Sequence, residues 1–128
     1  MVKQLNVLLV DDDIINRKLI RALLSRHKDM INEITEASNG AEALEIVDTN
    51  SEINLVLLDI LMPILDGKGF LRAFRSHKSN SNTPVIVLTT DDTEKNEVLN
   101  FGADDILIKP IKEENLIKHI EYWTQETD

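Results

Sequence analysis

The 128-residue sequence predicts an α/β protein, with five parallel strands in one sheet and helices on both of its faces. Short, nearly continuous apolar runs recur along the chain, which is typical of strands buried on both faces. Between them lie segments whose apolar residues have the spacing of an amphipathic helix. Strands that alternate with helices are joined by right-handed crossovers onto a parallel sheet, so we expect a three-layer fold rather than a sandwich or a bundle.

The predicted strands and helices alternate five times. The strands cover residues 5–10, 33–37, 55–58, 85–88 and 106–108, and the second is the weakest of them. The helices are predicted from these apolar positions at helical spacing: Ile15, Leu19 and Leu23; Ala43, Leu44 and Val47; Phe70, Leu71 and Phe74; Val98 and Leu99; Leu116, Ile117, Ile120 and Trp123. Turn residues agree with these bounds, since Asn39-Gly40 precedes the second helix, Pro84 opens the fourth strand and Gly102 ends the fourth helix.

Composition excludes several classes of function. Acidic side chains outnumber basic ones by 23 to 14, and the resulting charge of −9 repels nucleic acid and anionic membranes, so direct DNA binding is not expected. The absence of Cys removes disulfides, zinc thiolate sites and Cys nucleophiles. No apolar run approaches the ~20 residues of a membrane span, and no signal-peptide cleavage pattern is visible. We expect a cytoplasmic protein of one domain, residues 1–128, without membrane insertion.

Polar side chains follow four of the predicted strands at the point where each strand ends. Asp11 and Asp12 follow the first strand, Asp59 the third, Thr89 the fourth and Lys109 the fifth. All strands of a parallel sheet point the same way, so these ends meet at one edge, where open α/β folds bind ligands. We therefore expect these five residues to form one site.

Three carboxylates at one edge repel each other unless a cation binds between them. Mg²⁺ suits an oxygen-only site, because it is commonly held by one or two carboxylates plus phosphate oxygens. A carboxylate acts as nucleophile toward a phosphoryl donor when cations neutralise the transferring group. Lys109 supplies a second positive charge, and Thr89 supplies a hydroxyl that donates to a phosphoryl oxygen.

Four motifs stand in a fixed order along the chain. They are LLVDDD (8–13), LLDILMPILDG (57–67), IVLTT (86–90) and the pair Lys109-Pro110. In this order and at about this spacing, they resemble the response-regulator receiver domains of two-component signalling, over nearly the whole chain. The resemblance implies a flavodoxin-like (βα)5 fold of strand order 2-1-3-4-5. It also implies a phosphorelay function, in which a histidine kinase or a histidine phosphotransfer protein donates the phosphoryl group.

The resemblance assigns roles around the metal. Asp59 is the implied phosphoacceptor, Asp12 and Asp59 bind Mg²⁺ directly, and Asp11 acts mainly through water. Leu61 lends its backbone carbonyl to the metal. Such a chain assists its own phosphorylation and dephosphorylation but is not otherwise an enzyme. Leu61 and Asp91 occupy the positions that tune access of water to the acyl phosphate, and the apolar side chain of Leu61 predicts slow self-dephosphorylation.

The resemblance also assigns the readout. Thr89 and Lys109 are implied to sense the phosphate, and the bond before Pro110 is often cis in this family. Ile106 stands where Tyr or Phe is common and has no ring to turn inward. We therefore expect any change on phosphorylation to lie mainly in the loop after Thr89 and in the fourth helix. A downstream protein is expected to dock on the fourth helix, fifth strand and fifth helix.

The remaining polar residues are interpreted as structural. Asp13 is expected to cap the first helix, and Asp66-Gly67 to form a turn and cap before the third. Asp104 and Asp105 are interpreted as solvated loop charges. Three histidines share no metal-ligand spacing and are expected to be exposed: His27, His77 and His119. Asn16-Arg17 is similar to the same pair in receivers attached to hybrid histidine kinases.

Two alternative functions stay open at this point. A phosphohydrolase of the haloacid dehalogenase type would use Asp11 as nucleophile and Asp13 as its second carboxylate. That family expects Thr or Val where this chain has Ile15, and it leaves Asp59 without a role. The other alternative is a phosphate-independent interaction module with the receiver fold.

Overall fold

Five parallel strands form one sheet in the computed structural model, in the order β2-β1-β3-β4-β5. The structure describes residues 4–60, 66–77, 80, 82–90, 93 and 95–125. The strands are β1 (Leu5–Val10), β2 (Ile31–Ala37), β3 (Leu55–Asp59), β4 (Val85–Thr89) and β5 (Asp105–Ile108). The predicted sheet and its strand order are therefore confirmed.

Five helices follow the strands in alternation. They are α1 (Ile14–Leu24), α2 (Gly40–Thr49), α3 (Gly67–Arg75), α4 (Lys95–Asn100) and α5 (Glu113–Thr124). Within the described ranges, no helix combines the length and the apolarity that crossing a bilayer requires.

The core lies on both faces of the sheet, because successive strand residues point to opposite sides. In β1, Val7 and Leu9 join the cluster packed by α1 and α5. Leu8 and Val10 join the cluster packed by α2, α3 and α4. Each of these four side chains is at most 1% exposed. Burial from both sides explains why residues 7–10 of this strand are all apolar instead of alternating with polar residues.

The first helix turns a different face to the core than its spacing suggested. Ile20 and Leu24 are buried, whereas Ile15 and Leu19 expose 59% and 63% of their surface. The expected buried stripe is therefore wrong for Ile15 and Leu19, and its third member, Leu23, packs partly against the core. Apolar residues occupy two rows of this helix, and spacing alone does not tell which row meets the sheet.

Side-chain caps begin three helices where the sequence places their starts. Asp13, Asn39 and Asp66 each accept a hydrogen bond from a backbone N–H of the following turn, at 2.8–2.9 Å. These bonds satisfy N–H groups that the helix itself leaves unpaired. After α4, Gly102 has φ of +117°, a conformation that favours glycine and ends the helix as predicted.

The interpretation of Asp104 and Asp105 as solvated charges is wrong. Asp104 Oδ2 accepts hydrogen bonds from Arg75 Nη2 at 2.9 Å and from the backbone N of Val85 at 2.8 Å. Asp105 Oδ2 accepts one from Trp123 Nε1 at 2.8 Å. Asp104 therefore joins α3 to β4, and Asp105 joins β5 to α5. These contacts link residues far apart in the sequence, so the sequence does not reveal them.

Two of the three histidines are likewise less exposed than expected. His27 Nε2 lies 3.1 Å from Glu113 Oε2, and 27% of its side chain is exposed. His119 Nδ1 lies 2.8 Å from the carbonyl oxygen of Asn115, with 32% of its side chain exposed. His77 is exposed, as expected.

Candidate functional site

Three carboxylates meet at the carboxyl edge of the sheet. Asp11 and Asp12 follow β1, and Asp59 is the last residue of the neighbouring β3. One carboxylate oxygen from each lies within 4.8 Å of the other two. Asp11 is buried, Asp59 is half-buried and Asp12 is exposed. The cluster therefore opens to solvent on the side of Asp12.

Asp11 is the buried member of this cluster, with 5% exposure. Its Oδ1 accepts a hydrogen bond from the backbone N of Asp13 at 2.9 Å. Its own backbone N donates to the carbonyl oxygen of Ala37, the last residue of β2, at 3.1 Å. A buried carboxylate is tolerated only with such partners, and these contacts hold Asp11 in place at the end of β1.

Lys109 brings one positive charge to the cluster from the end of β5. Its Nζ lies 3.4 Å from Asp11 Oδ2 and 3.8 Å from Asp59 Oδ1. Its backbone N donates to the carbonyl oxygen of Thr89 at 2.7 Å. The Lys109-Pro110 peptide bond is cis, as it often is in the resembled family. The ammonium group thus bridges the two least exposed carboxylates.

The pKa of Asp59 lies well above that of an ordinary aspartate. This pKa is raised from 3.8 to about 6, and burial is the largest cause. The charge of Lys109 lowers the pKa, while the charges of Asp11 and Asp12 raise it again. The backbone N–H of Ile60 lowers it by hydrogen bonding. The net increase indicates that a further cation would stabilise the ionised form of Asp59.

The donor set fits a hard divalent cation. When all are ionised, the three carboxylates and the ammonium of Lys109 carry a net charge of −2, which a Mg²⁺ ion would balance. Every ligand atom in the cluster is a carboxylate oxygen, the donor type that Mg²⁺ prefers. Asp11, Asp12 and Asp59 are therefore the residues that would hold the ion.

Glycine is required directly beside Asp59. A Cβ at Gly67 would lie 2.6 Å from the carbonyl oxygen of Asp59 and 2.7 Å from the Cα of Ile60. The backbone N of Gly67 donates to the carbonyl oxygen of Ile60 at 2.9 Å. The start of α3 therefore packs against the backbone of Asp59, which only a residue without a side chain permits.

Thr89 ends β4, the strand next to β3, and is half-buried. Ile106 packs with part of its surface buried against the cluster beneath α2, α3 and α4. Leu61 and Asp91 lie outside the described residues, so the metal-binding carbonyl and the effect on dephosphorylation stay predictions.

Two charged residues near the site were not assigned to it from the sequence. Arg17 Nη1 donates to the carbonyl oxygen of Asp11 at 2.6 Å. Arg17 Nε donates to Glu36 Oε1 at 3.0 Å. The spacing in the sequence could have indicated the contact of Arg17. Arg17 stands one helical turn after the cap Asp13, so its side chain lies next to the loop that carries the carboxylates.

A groove of about 600 Å³ leads from the site along α1. Asp11, Thr90 and Lys109 line it at the sheet edge, and Leu19 and Pro110 are among its apolar residues. The groove thus connects the charged cluster with the apolar row that α1 exposes.

A family model described as the response regulator receiver domain matches residues 7–121. The matched span contains every residue assigned to the site. Among curated proteins, the two-component response regulator-like APRR7 of Arabidopsis thaliana is 38% identical over 118 residues. The alignment covers 90% of this chain and 16% of that protein, so the chain spans less than a fifth of that relative.

Two solved structures share the fold over almost their whole length. The chemotaxis protein CheY4 of Vibrio cholerae superimposes with a TM-score of 0.84 and 30% identity, covering 94% of this chain and 98% of that one. The receiver domain of the sensor histidine kinase PA1611 from Pseudomonas aeruginosa PAO1 superimposes with a TM-score of 0.86 and 25% identity, covering 97% and 100%. The crystal structure of that receiver domain contains a magnesium ion coordinated in the active site cleft.

Proposed function

Because the chain belongs to the response regulator receiver domain family, we propose that it accepts a phosphoryl group on Asp59 in a Mg²⁺-dependent reaction. The donor is a histidine kinase or a histidine phosphotransfer protein, and the phosphorylated chain acts on a protein partner. The observation that carries this proposal is the cluster of Asp11, Asp12 and Asp59 within 4.8 Å, with the Lys109 ammonium against it.

Each residue has one task in the transfer. An Asp59 carboxylate oxygen attacks phosphorus, an oxygen–phosphorus bond forms, and the bond to the donor breaks with its electron pair remaining on the donor. Lys109 neutralises charge on the transferring group, and the Thr89 hydroxyl donates to one of its oxygens. A bound Mg²⁺ supplies further charge neutralisation. The chain is thus a signalling module that is modified once per cycle rather than a turnover enzyme.

The orientation of Asp13 argues against the hydrolase alternative. That mechanism needs Asp11 and Asp13 as a catalytic pair, yet Asp13 Oδ1 accepts the capping hydrogen bond from the backbone N of Ile15 at 2.9 Å. The carboxylates grouped with that of Asp11 are those of Asp12 and Asp59 instead. The receiver chemistry gives Asp59 its role.

The proposal is tested by incubating the chain with acetyl phosphate and Mg²⁺. We expect a phosphoryl adduct that maps to Asp59 by peptide mass spectrometry, that is lost on hydrolysis in base, and that EDTA prevents. Asp59→Asn should show no adduct, and Asp13→Ala should still show one. Steady phosphate release that survives Asp59→Asn would support the hydrolase. Absence of an adduct with every donor tried would support the phosphate-independent module.

The donor protein, in this proposal, docks over the first turns of α1. Ile14, Ile15 and Leu19 expose 53%, 59% and 63% of their surface, and Leu19 lines the groove that reaches Lys109. Large apolar side chains exposed together beside a charged cleft are typical of a protein-binding surface. An amphipathic donor helix in this groove would bring its phosphohistidine to Asp59.

Comparing a protein donor with a small-molecule donor separates the docking of the donor protein from the phosphoryl transfer itself. Leu19→Glu should slow transfer from a phosphorylated histidine phosphotransfer protein and leave phosphorylation by acetyl phosphate unchanged. Tyr122→Glu is the matched control, because Tyr122 is equally exposed, at 62%, but lies on α5. Equal slowing by both variants, or slowing of the small-molecule reaction by Leu19→Glu, would reject the docking surface.

The downstream partner docks on the face formed by α4, β5 and α5. Ile108 and Tyr122 support this choice, because they expose 44% and 62% of their surface on β5 and α5. Glu substitution at both positions should weaken partner binding without changing phosphorylation. The cytoplasmic location stays a prediction from composition.

A further inference from the structure

The Arg17–Glu36 ion pair lies beside the loop that carries Asp11 and Asp12, and the transfer described above does not use it. Arg17 stands in α1, and Glu36 in β2. Their side chains are 14% and 27% exposed, and Arg17 Nε lies 3.0 Å from Glu36 Oε1. The hydrogen bond from Arg21 lowers the pKa of Glu36, burial opposes this, and Arg17 lowers the pKa further. The anchor of Arg17 is therefore an ionised carboxylate.

The other end of the guanidinium reaches the peptide that joins Asp11 to Asp12. Arg17 Nη1 donates to the carbonyl oxygen of Asp11 at 2.6 Å, a short, charge-assisted hydrogen bond. The backbone N of Asp11 donates to the carbonyl oxygen of Ala37 in β2. The backbone of Asp11 is thus tied to β2 on both sides, directly at its N–H and through Arg17 and Glu36 at its carbonyl.

The hydrogen bonds of the Asp11 backbone constrain the direction of the Asp12 side chain. The peptide unit is planar, so a fixed carbonyl oxygen at Asp11 also fixes the N–H of Asp12 and restricts how its Cα–Cβ bond points. Asp12 is exposed, unlike Asp11, and its side chain therefore depends more on its own backbone for orientation. A carbonyl free to rotate would let the Asp12 carboxylate leave the cluster.

We infer that Arg17 is a positioning residue for the metal site, holding the Asp11–Asp12 peptide so that the Asp12 carboxylate faces Asp11 and Asp59. The inference rests on the proposed function, because it takes the three carboxylates as the Mg²⁺ ligands. Arginine is required, because two different nitrogens of its planar guanidinium donate at once to the Asp11 carbonyl oxygen and to Glu36. Lysine carries all of its N–H donors on one nitrogen and does not match this geometry.

Arg21 provides a matched control one turn further along α1. Its Nε donates to Glu36 Oε2 at 2.7 Å, and its Nη2 donates to the carbonyl oxygen of Ile34 at 2.9 Å. Both of these acceptors lie in β2. Arg21→Gln therefore removes an ion pair with the same glutamate, while Arg17 can still bond the carbonyl of Asp11.

The test is the affinity of the unphosphorylated full chain for Mg²⁺, measured by isothermal titration calorimetry. We expect the Kd to rise roughly 10-fold or more in Arg17→Gln, the usual effect of losing a group that orients a metal ligand. Arg17→Lys should also raise the Kd, and Arg21→Gln should leave it unchanged. In metal-free protein, amide exchange at Asp12 and Asp13 should accelerate in both Arg17 variants but not in Arg21→Gln.

Other results would overturn this inference, and they differ in what they imply for the proposed function. A wild-type Kd in Arg17→Gln, or equal increases in Arg17→Gln and Arg21→Gln, would overturn the role of Arg17 while leaving the proposed function intact. A wild-type Kd in Arg17→Lys would show that charge alone suffices and would overturn the geometric argument. Absence of Mg²⁺ binding by the wild-type chain would overturn the proposed metal site and this inference together.

Discussion

Three consecutive aspartates after β1 have three different structural roles. Asp11 is buried against Lys109, Asp12 is exposed at the opening of the cluster, and Asp13 caps α1. The side chains diverge because the chain leaves an extended strand and enters a helix within these residues. Residue type alone therefore does not decide function here, since the backbone direction at each position does.

The raised pKa of Asp59 predicts that removing its charge stabilises the metal-free protein. Its pKa is about 6 in the folded chain and 3.8 without the fold, so the folded state binds the proton more tightly. The contribution of this group to stability therefore falls as pH rises from about 4 to about 6, and stays low above that range. We expect Asp59→Asn to increase the free energy of unfolding by about 2–3 kcal/mol near neutral pH.

Urea unfolding in EDTA checks this prediction at two pH values. The gain from Asp59→Asn should be largest at about pH 7.5 and clearly smaller at about pH 5, because wild-type Asp59 is then mostly protonated in the folded state. Asp48→Asn, at an exposed position of α2, controls for the change in net charge. An equal gain at both pH values would contradict the assignment of the shift to Asp59.

At the scale of elements, α4 has the weakest anchorage among the described helices. It comprises six residues, Lys95–Asn100, and buries only Val98. A helix this short is not stable by itself and depends on its tertiary contacts. On the surface, Lys68 Nζ lies 3.2 Å from Glu97 Oε1, an ion pair that joins the start of α3 to α4. We therefore expect α4 to shift more readily than the other described helices.

We expect phosphorylation to change amide exchange mainly in residues 90–100. The reason is this weak anchorage, together with Ile106, whose aliphatic side chain has no ring to reorient. Hydrogen exchange with and without acetyl phosphate and Mg²⁺ measures the effect, and Asp59→Asn under the same conditions is the control. Comparable changes in other elements, or none in residues 90–100, would argue against readout through α4.

Arg75 anchors the connection that precedes β4 and the turn that follows α4. Its Nη1 donates to the carbonyl oxygens of Asn80 and Thr83 at 2.6 and 2.7 Å. Its Nε donates to the carbonyl oxygen of Gly102 at 2.9 Å, and its Nη2 to Asp104 Oδ2 at 2.9 Å. One guanidinium thus joins two connections, with 17% of its side chain exposed.

Arg75→Ala should lower the free energy of unfolding by about 2–4 kcal/mol, because it removes the ion pair with Asp104 and leaves three partly buried carbonyl oxygens without this donor. Arg72→Ala is the matched control in the same helix, since exposed Arg72 stacks on the Phe101 ring at 5.0 Å and should contribute less than about 1 kcal/mol. Urea unfolding measures both changes. An equal decrease in the free energy of unfolding in the two variants would show that the hydrogen bonds of Arg75 do not stabilise the fold.

At the scale of the whole molecule, Mg²⁺ should stabilise the fold by mass action. Asp11 and Asp12 follow β1 and Asp59 ends β3, so the three carboxylates come together only in the folded state and the unfolded chain lacks this cluster. At a free concentration 100 times the Kd, binding adds about 2.7 kcal/mol to the free energy of unfolding. Thermal unfolding in Mg²⁺ and in EDTA measures this increment.

Asp12→Ala and Asp13→Ala separate the site from the cap. Asp12→Ala should lose the Mg²⁺ increment. Asp13→Ala should keep it while starting about 1 kcal/mol lower in EDTA, because the helix loses its cap. A Mg²⁺ increment that survives Asp12→Ala would place the ion elsewhere.

The sequence by itself determined the architecture and which carboxylates and lysine meet at the edge of the sheet. Apolar runs mark strands buried on both faces, and alternation with helices requires a parallel sheet, so the strand ends that carry Asp11, Asp59 and Lys109 had to converge. These signals are local, because they depend on residue type and spacing within each element.

Only the tertiary structure decided which row of α1 meets the sheet, and that Ile15 and Leu19 are exposed. It also decided the partners of Arg17 and Arg75, which lie 19 and 29 residues away at Glu36 and Asp104. Each case has its own physical reason. A helix with two apolar rows has two nearly equivalent ways to pack, and a long charged side chain reaches partners that only the assembled fold brings near.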